Sequence, residues 1–303
     1  MLSFTGLRSL AGKLVNDTAS ATADLLVDSL YNDEYKRVAA MSPWDFLQRT
    51  RTATTTAGTQ FYDLPADVDM IVNVTVTNGT LVYTPRPVQS RTEWDQLNYS
   101  TAYSSNYPQF YFVFNGQLGF WPKPSQTSNT ITYSYRKRVP DLSLADYATG
   151  NVSAVTSGAA AVTGTGTTWT VPMATRFLKI TPTSTAAASG DGLWYEISSV
   201  GSTTALTLVD SYLGTTISAS TAFTIGQMPL LPEAYHTLPL WRSLDIYYSS
   251  VQPESDRALL YRQKWEQSLE QLQAAYGKKT TNVVLDGGDW PLLNPNLFLE
   301  DAG

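Results

Sequence analysis

Val72-Asn73-Val74-Thr75-Val76-Thr77-Asn78-Gly79 is the stretch on which the fold turns. Its first six residues alternate, placing Val72, Val74 and Val76 on one face and Asn73, Thr75 and Thr77 on the other, the two-residue period of a strand buried on one side. Asn78-Gly79 then separates two β-prone runs. A type I′ turn needs positive φ at both central positions, which Asn and Gly adopt at least cost. The same pair recurs at Asn115-Gly116, between the aromatic run Phe110–Phe114 and the segment Gln117–Trp121, so two β-hairpins are expected. Between them, Ser90-Arg91-Thr92-Glu93 has the spacing of a capping box that opens a short helix through Trp94 and Leu97. Residues 130–138 predict a further strand, with Ile131, Tyr133 and Tyr135 alternating with polar residues.

Helical patterns lie outside this β-rich stretch. From about residue 21 to residue 40, Val27, Tyr31, Tyr35 and Val38 recur at helical spacing, and Leu26 and Leu30 widen the stripe. The pattern ends near Pro43, and Trp44, Phe46 and Leu47 read as an aromatic plug beneath the helix. Toward the other end, Leu240, Leu244, Tyr247 and Val251 share one helical face, with Pro239 in a first turn that tolerates it. Ala258, Tyr261, Trp265, Leu269, Leu272 and Tyr276 form a second stripe, with Gly277 as the residue past the helix end and Lys278 and Lys279 beside its negative pole.

Residues 148–226 are chemically different. Residues 1–147 carry 12 basic and 13 acidic side chains and 227–303 carry 6 and 10, but 148–226 carry only 2 and 3. This part is built from Thr, Ser, Ala and Gly, with short strands expected near 177–181, 194–200, 205–209 and 222–225. The extended exit before it and the run into a helix after it make sense when joined, so it reads as an insertion. The fold class expected is α+β: a helical bundle from N- and C-terminal helices, β-hairpins, an inserted all-β domain and an extended C-terminal tail. The divisions are 1–147, 148–226, 227–279 and 280–303.

With 303 residues and 43% hydrophobic content, the chain can bury a substantial core in roughly two compact units. It has no cysteine, so disulfides and thiolate metal sites are excluded. No apolar run approaches the roughly 20 residues a bilayer requires, so neither signal peptide nor membrane span is expected and synthesis is placed in the cytoplasm. A net charge of −6 argues against a protein whose work is gripping phosphate backbones.

Candidate chemistry is sparse. The one histidine, His236, stands among Tyr235, Leu238 and Trp241 without a nucleophile, and is expected to be structural. Asp286-Gly287-Gly288-Asp289 lacks the alternating oxygen ligands of a calcium loop. Gly164-Thr165-Gly166-Thr167-Thr168-Trp169 lacks both a third fingerprint Gly and a phosphate-loop Lys, and reads as a β-turn. Glu266 and Glu270, with Arg262 ahead of them at the same spacing, read as an ion-paired solvated face. Asp63, Asp67 and Asp69 flank a Leu-Pro turn, where Asp commonly bonds backbone. No catalytic, cofactor or metal site is expected, and the chain is not read as an enzyme.

Two segments point to contacts. Arg136-Lys137-Arg138 is the one concentrated positive run, readable as a solvated strand end or as a contact with an acidic subunit or with passing DNA. Residues 280–303 contain Val283, Val284, Leu285, Trp290, Leu292, Leu293, Leu297, Phe298 and Leu299 without a helical period. They also hold Asp286, Asp289, Glu300 and Asp301 with no Lys or Arg. Leaving such a segment in water costs roughly 25 cal/mol per Å² exposed, so a partner surface is expected, an apolar groove with basic edges. Folding back on the chain's own helices is the competing reading.

The order of features resembles podovirus-like head-to-tail adaptor (connector) proteins of tailed phages. The resemblance is carried by Trp44-Asp45-Phe46-Leu47, Ala57-Gly58-Thr59-Gln60-Phe61-Tyr62-Asp63-Leu64-Pro65-Ala66-Asp67, Tyr107-Pro108-Gln109-Phe110-Tyr111 and Phe120-Trp121-Pro122-Lys123-Pro124. Pro140-Asp141-Leu142-Ser143 and Leu231-Pro232-Glu233-Ala234-Tyr235-His236 complete it. Leu64, Pro65, Pro108, Trp121, Pro122 and Pro124 are expected to be framework residues. The insertion, through Val162-Thr163-Gly164-Thr165-Gly166-Thr167, Tyr195-Glu196-Ile197-Ser198-Ser199-Val200 and Tyr212-Leu213-Gly214-Thr215-Thr216, is similar to small β modules of phage structural proteins. What the resemblance implies is a virion protein at the head-to-tail interface, made in the host cytoplasm and forming a ring, dodecameric like the portal. Its partners would be the portal protein, tail nozzle or tail-tube proteins, further copies of itself, and double-stranded DNA passing through without sequence-specific binding. Membrane and cofactor play no part. Trp290, Leu292, Leu293, Leu297, Phe298 and Leu299 would contact the portal or a neighbouring subunit. The alternatives are another virion component, such as a tail terminator or decoration protein, or a wall-degrading or glycan-binding protein.

Overall fold

The computed structural model describes residues 2–17, 20–99, 103–184 and 189–277, and it is α+β. A first helix, α1 (Phe4–Val15), is capped at both ends. The Ser3 hydroxyl accepts the Gly6 N–H, and Asn16, left-handed at φ 54°, donates its N–H to the Gly12 and Lys13 carbonyls. Gly6 and Gly12, poor helix formers, mask in the sequence the stripe of Phe4, Leu7, Ala11 and Leu14 that this helix turns to the core. The helix expected over 21–40 is present as α2 (Ser20–Ala23), a π-helical stretch Asp24–Tyr31, and α3 (Asn32–Met41), joined without a break. Its stripe faces inward: Leu26, Val27, Tyr31, Tyr35 and Val38 are fully buried. Trp44 seals the end, its indole N–H donating to the Val38 carbonyl at 2.7 Å.

Ten strands and a short helix follow: β1 (Gln48–Thr54), β2 (Phe61–Asp63), β3 (Val68–Asn78), β4 (Leu81–Tyr83), β5 (Arg86–Pro87), α4 (Arg91–Leu97), β6 (Ser104–Ser105), β7 (Phe110–Phe114), β8 (Gln117–Trp121), β9 (Lys123–Pro124) and β10 (Thr130–Lys137). They form two four-stranded sheets, β1-β10-β3-β4 and β2-β8-β7-β5, and a small β6-β9 pair. Val74, Val76, Leu118, Phe120, Ile131 and Tyr135 fill one apolar cluster with residues from both larger sheets.

The hairpin at Asn115-Gly116 is of the expected kind, with φ of 50° and 72° between the paired residues Phe114 and Gln117. At Asn78-Gly79 the turn falls one residue later, because Asn78 itself pairs with Leu81. Gly79, at φ 60°, then takes the first central position, as in a type II′ turn. The face assignment also changes along β3. Asn73 pairs with Ser134 and Ile71 with Tyr135, so Val72 is the extra residue of a bulge. Val72 is consequently exposed, and Ile71 turns toward the core in its place.

The next six strands are β11 (Asn151–Val155), β12 (Ala161–Thr165), β13 (Phe177–Ile180), β14 (Trp194–Ser202), β15 (Ala205–Leu208) and β16 (Phe223–Gly226). They form one sheet in the order β11-β12-β15-β14-β13-β16. Isolated bridges Tyr147–Ile225, Val152–Thr221 and Val155–Ile217 bring its last segment back beside its first, so the sheet curls on itself. Its own apolar cluster includes Val152, Trp169, Leu178, Ile197, Tyr212 and Phe223. Gly164 lies within β12 and not in a turn, and a Cβ there would come within 2.7 Å of the Trp169 ring; the turn is at Gly166.

The chain returns to helix in α5 (Leu238–Ile246), a π-helical stretch Tyr247–Val251, and α6 (Ser255–Tyr276). Pro239 sits in the first turn of α5. Leu240, Leu244, Tyr248 and Tyr261 join Leu26, Tyr31, Tyr35 and Leu142 in one cluster, so α5 and α6 share a core with the N-terminal helices. Gly277 is extended at φ −63° and not left-handed; its N–H bonds the Gln273 carbonyl at 2.8 Å. Arg262 does not pair with Glu266. It reaches the buried Asp245 at 3.2 Å, the stronger site because water is excluded there.

Candidate interaction surface

The end of β10 places the three consecutive cations in different settings. Arg136 is ion-paired with Asp69 at 2.6 Å. Lys137, nearly buried, meets Glu196 of β14 at 3.3 Å and so ties the hairpin sheets to the β module. Arg138 donates its backbone N–H to the Asp67 carbonyl at 2.7 Å and its guanidinium to the Val68 carbonyl at 3.3 Å. Among the described residues its guanidinium meets no carboxylate. Asp67 and Asp69, expected to bond backbone, instead hold side chains: Asp67 takes Arg51 and the Tyr135 hydroxyl, Asp69 takes Arg136.

Two adjoining concavities surround this strand end. The smaller, about 330 Å³, is lined by Lys36, Leu47, Asp69, Arg136, Lys137 and Arg138, with Lys36 also paired to Asp141 at 2.5 Å. The larger, about 590 Å³, lies between the two four-stranded sheets, with Leu64, Val68, Met70, Ile71, Val88 and Val113 among its walls. Asp69 and Arg138 line both and stand between them. Sequence pattern had shown the basic run, but not Lys36 nor the groove, whose walls come from strands far apart in the chain.

His236 is buried and structural. One tautomer satisfies both ring nitrogens, with Nδ1 accepting the Leu2 N–H at 3.2 Å and Nε2–H donating to the Leu231 carbonyl at 3.0 Å. Burial lowers its pKa by disfavouring the imidazolium. Asp245 gathers Arg242, Arg262 and Ser249 where α5 and α6 meet. Glu34 of α3 accepts the Trp265 indole N–H at 3.1 Å, and burial raises its pKa. The framework residues position backbone: the Pro65 carbonyl accepts the Val68 N–H, the Pro124 carbonyl accepts the Gly58 N–H, and the Trp121–Pro122 peptide is cis.

Among the described residues no group of three or more His, Cys, Asp or Glu could hold a metal ion, and no helix is long and apolar enough to cross a membrane. Trp290, Leu292, Leu293, Leu297, Phe298 and Leu299 lie outside the described residues.

Of the charged groups singled out in the sequence, Asp67, Asp69, Arg136 and Lys137 hold elements together. Residues 3–159, just over half of the chain, match the family model of the SU10 adaptor protein, and the chain belongs to this family of phage head-tail adaptors. The match runs from α1 through β11 and leaves out α5 and α6. No curated protein matches the chain. The family is structural and in general not enzymatic, so this is a structural protein of the phage virion, and an adaptor implies contact with portal and tail proteins.

Proposed function

We propose that this chain forms the head-to-tail adaptor ring between portal and tail, twelve copies extending the DNA channel and offering a docking surface to tail nozzle or tail-tube proteins. The observation that carries this reading is the family match over residues 3–159, which contain α1, α3 and every strand of the two hairpin sheets. The charge distribution agrees with it. A net charge of −6, with Arg136 and Lys137 held by Asp69 and Glu196, suits a conduit through which the duplex slides better than a clamp that grips it. In this reading residues 1–147 and 227–279 form the adaptor body, 148–226 an inserted module, and 280–303 a tail whose Trp290, Leu292, Leu293, Leu297, Phe298 and Leu299 meet the portal or a neighbouring subunit. Synthesis is in the host cytoplasm and the mechanism is mechanical. Co-sedimentation with purified portal rings tests it: the full chain is expected to pellet with them, and truncation after Lys279 to remove the association while circular dichroism stays unchanged. Full-strength binding by the truncated chain would move the interface to the body, and no binding by the full chain would overturn the ring.

A further inference from the structure

The joint between the body and the β module is polar. The apolar cluster around Tyr31 and Leu244 and the one around Trp169 and Phe223 share no residue, and the chain crosses between them through residues 141–147 and returns through 226–230. A joint without an apolar core lets one unit move on the other unless specific bonds hold it. Gln227 ties the two crossings into one stalk. Its side-chain oxygen accepts the Ser143 and Leu144 N–H groups at 2.8 and 2.9 Å, and its amide donates to the Asp141 carbonyl at 2.7 Å. The start of α1 then grips that stalk. The Phe4 N–H bonds the Gln227 carbonyl at 2.8 Å, the Ser3 hydroxyl donates to Asp146 Oδ2 at 2.7 Å, and the Asp146 N–H donates to the Thr5 hydroxyl at 3.0 Å. Gly226 leaves the room for this, since a Cβ there would come within 2.8 Å of Ser3 and 3.1 Å of Asp146. Leu2 is held in turn by His236.

Arg176 stands on the module side of the same stalk. Its Nη2 donates to the Ala145 and Ile225 carbonyls at 2.7 and 2.9 Å, but its Nε, like Asp146 Oδ1, is buried with no hydrogen-bond partner among the described residues. Burial lowers the Arg176 pKa and the charge of Asp146 offsets part of this, so the two groups already feel each other. A buried donor and acceptor left unmade cost free energy that a direct pair recovers. Asp146 thus has one oxygen held by the body and one free for the module.

We infer that residues 2–5 are a clasp that holds the β module in one of two positions on the body. With the clasp closed, Asp146 is held by Ser3. With it open, the stalk leaves α1, Asp146 turns to Arg176, the Lys137–Glu196 pair lets go, and the module swings with its own fold intact. The inference concerns how the module is set on the body and does not rest on ring formation.

Spin labels report the set directly, because the chain has no cysteine of its own. Leu213→Cys on the module is combined with Leu259→Cys on α6, both exposed, and pulsed electron resonance measures their separation. The otherwise unaltered chain is expected to give one narrow distance. Ser3→Gly with Thr5→Val opens the clasp while leaving a residue that caps a helix nearly as well. It is expected to raise the ratio of a second, discrete distance to the first by about thirtyfold, the scale of two lost hydrogen bonds. Adding Asp146→Ala should spread the second distance into a broad one. A Val171→Cys and Leu213→Cys pair, both within the module, should stay unchanged throughout. An unchanged distance between module and α6 in the clasp variant would overturn the clasp, and a broadened one with no discrete second position would overturn the exchange to Arg176. Broadening within the module would also overturn the clasp, by showing that Ser3 and Thr5 hold the module's fold and not its set.

Discussion

Asp245 is 1% exposed and takes two guanidiniums and a hydroxyl, so its removal leaves those donors without their acceptor. Breaking a buried ion pair from one side costs about 3–5 kcal/mol, but Arg242 and Arg262 both reach water, so Asp245→Ala is expected to cost about 2–3 kcal/mol in urea unfolding. A loss below 0.5 kcal/mol, on the order of a surface substitution, would show that the α5–α6 joint does not depend on this carboxylate. His236 gives a pH signature. Its folded pKa is lowered by burial, so below its ordinary value near 6.5 the unfolded chain binds a proton that the folded chain resists. The stability it supports is full above about pH 6.5 and falls as pH drops toward the folded pKa. Glu34, raised by burial, works in the opposite sense: its contribution is full below the ordinary carboxylate value and lost as pH rises through its folded pKa. The difference between wild type and His236→Asn cancels Glu34, so urea titrations from pH 5 to 7.5 should show a falling difference on acidification; a flat one would mean the ring is not held neutral. At this scale the sequence showed that His236 was structural, but not that Leu2 would be a partner, because that contact joins positions 234 residues apart.

Among the elements, α4 shows how local signals and packing divide the work. The capping box is real, with Ser90 accepting the Glu93 N–H at 3.2 Å, but seven residues are too few to hold a helix in water. Trp94, buried between Phe61 and Phe112 with ring centroids at 6.0 and 5.5 Å, anchors it. Gly119 makes the seat, since a Cβ there would meet Phe61 at 2.7 Å and Trp94 at 3.0 Å. Ser90→Ala is expected to cost about 1 kcal/mol, and Trp94→Ala about 3–5 kcal/mol with fast amide exchange across 91–97. Equal effects of the two would contradict this division. Two missed strands share one cause: β11 and β12 are made largely of Asn, Ser, Ala, Thr and Gly and bury little beyond Val152, Val155 and Val162, so neither a hydrophobic period nor a bulky residue marks them. The bulge at Val72 was hidden because alternation cannot show where a partner strand slips by one residue.

For the whole molecule, the β module has its own apolar cluster but is also bonded to the body. Arg176 donates to the Ala145 carbonyl, Lys137 pairs with Glu196, and the Tyr147 N–H bonds the Ile225 carbonyl at 2.9 Å. Replacing 148–226 by a short Gly/Ser linker is expected to leave a cooperatively unfolding body with a lower midpoint, since those ties are lost and the cluster uniting α5 and α6 with the N-terminal helices is not. Loss of a cooperative transition in circular dichroism would make the module integral. The near absence of charge set 148–226 apart in the sequence; the ties did not show, because each is a single polar group among many.

Electron microscopy of intact particles carrying a gold-labelled tag on the exposed face of the β module shows where the subunit sits. Label is expected at the one vertex where head meets tail, arranged as a ring coaxial with the portal. Label spread over the capsid faces, or confined to the far end of the tail, would contradict this placement.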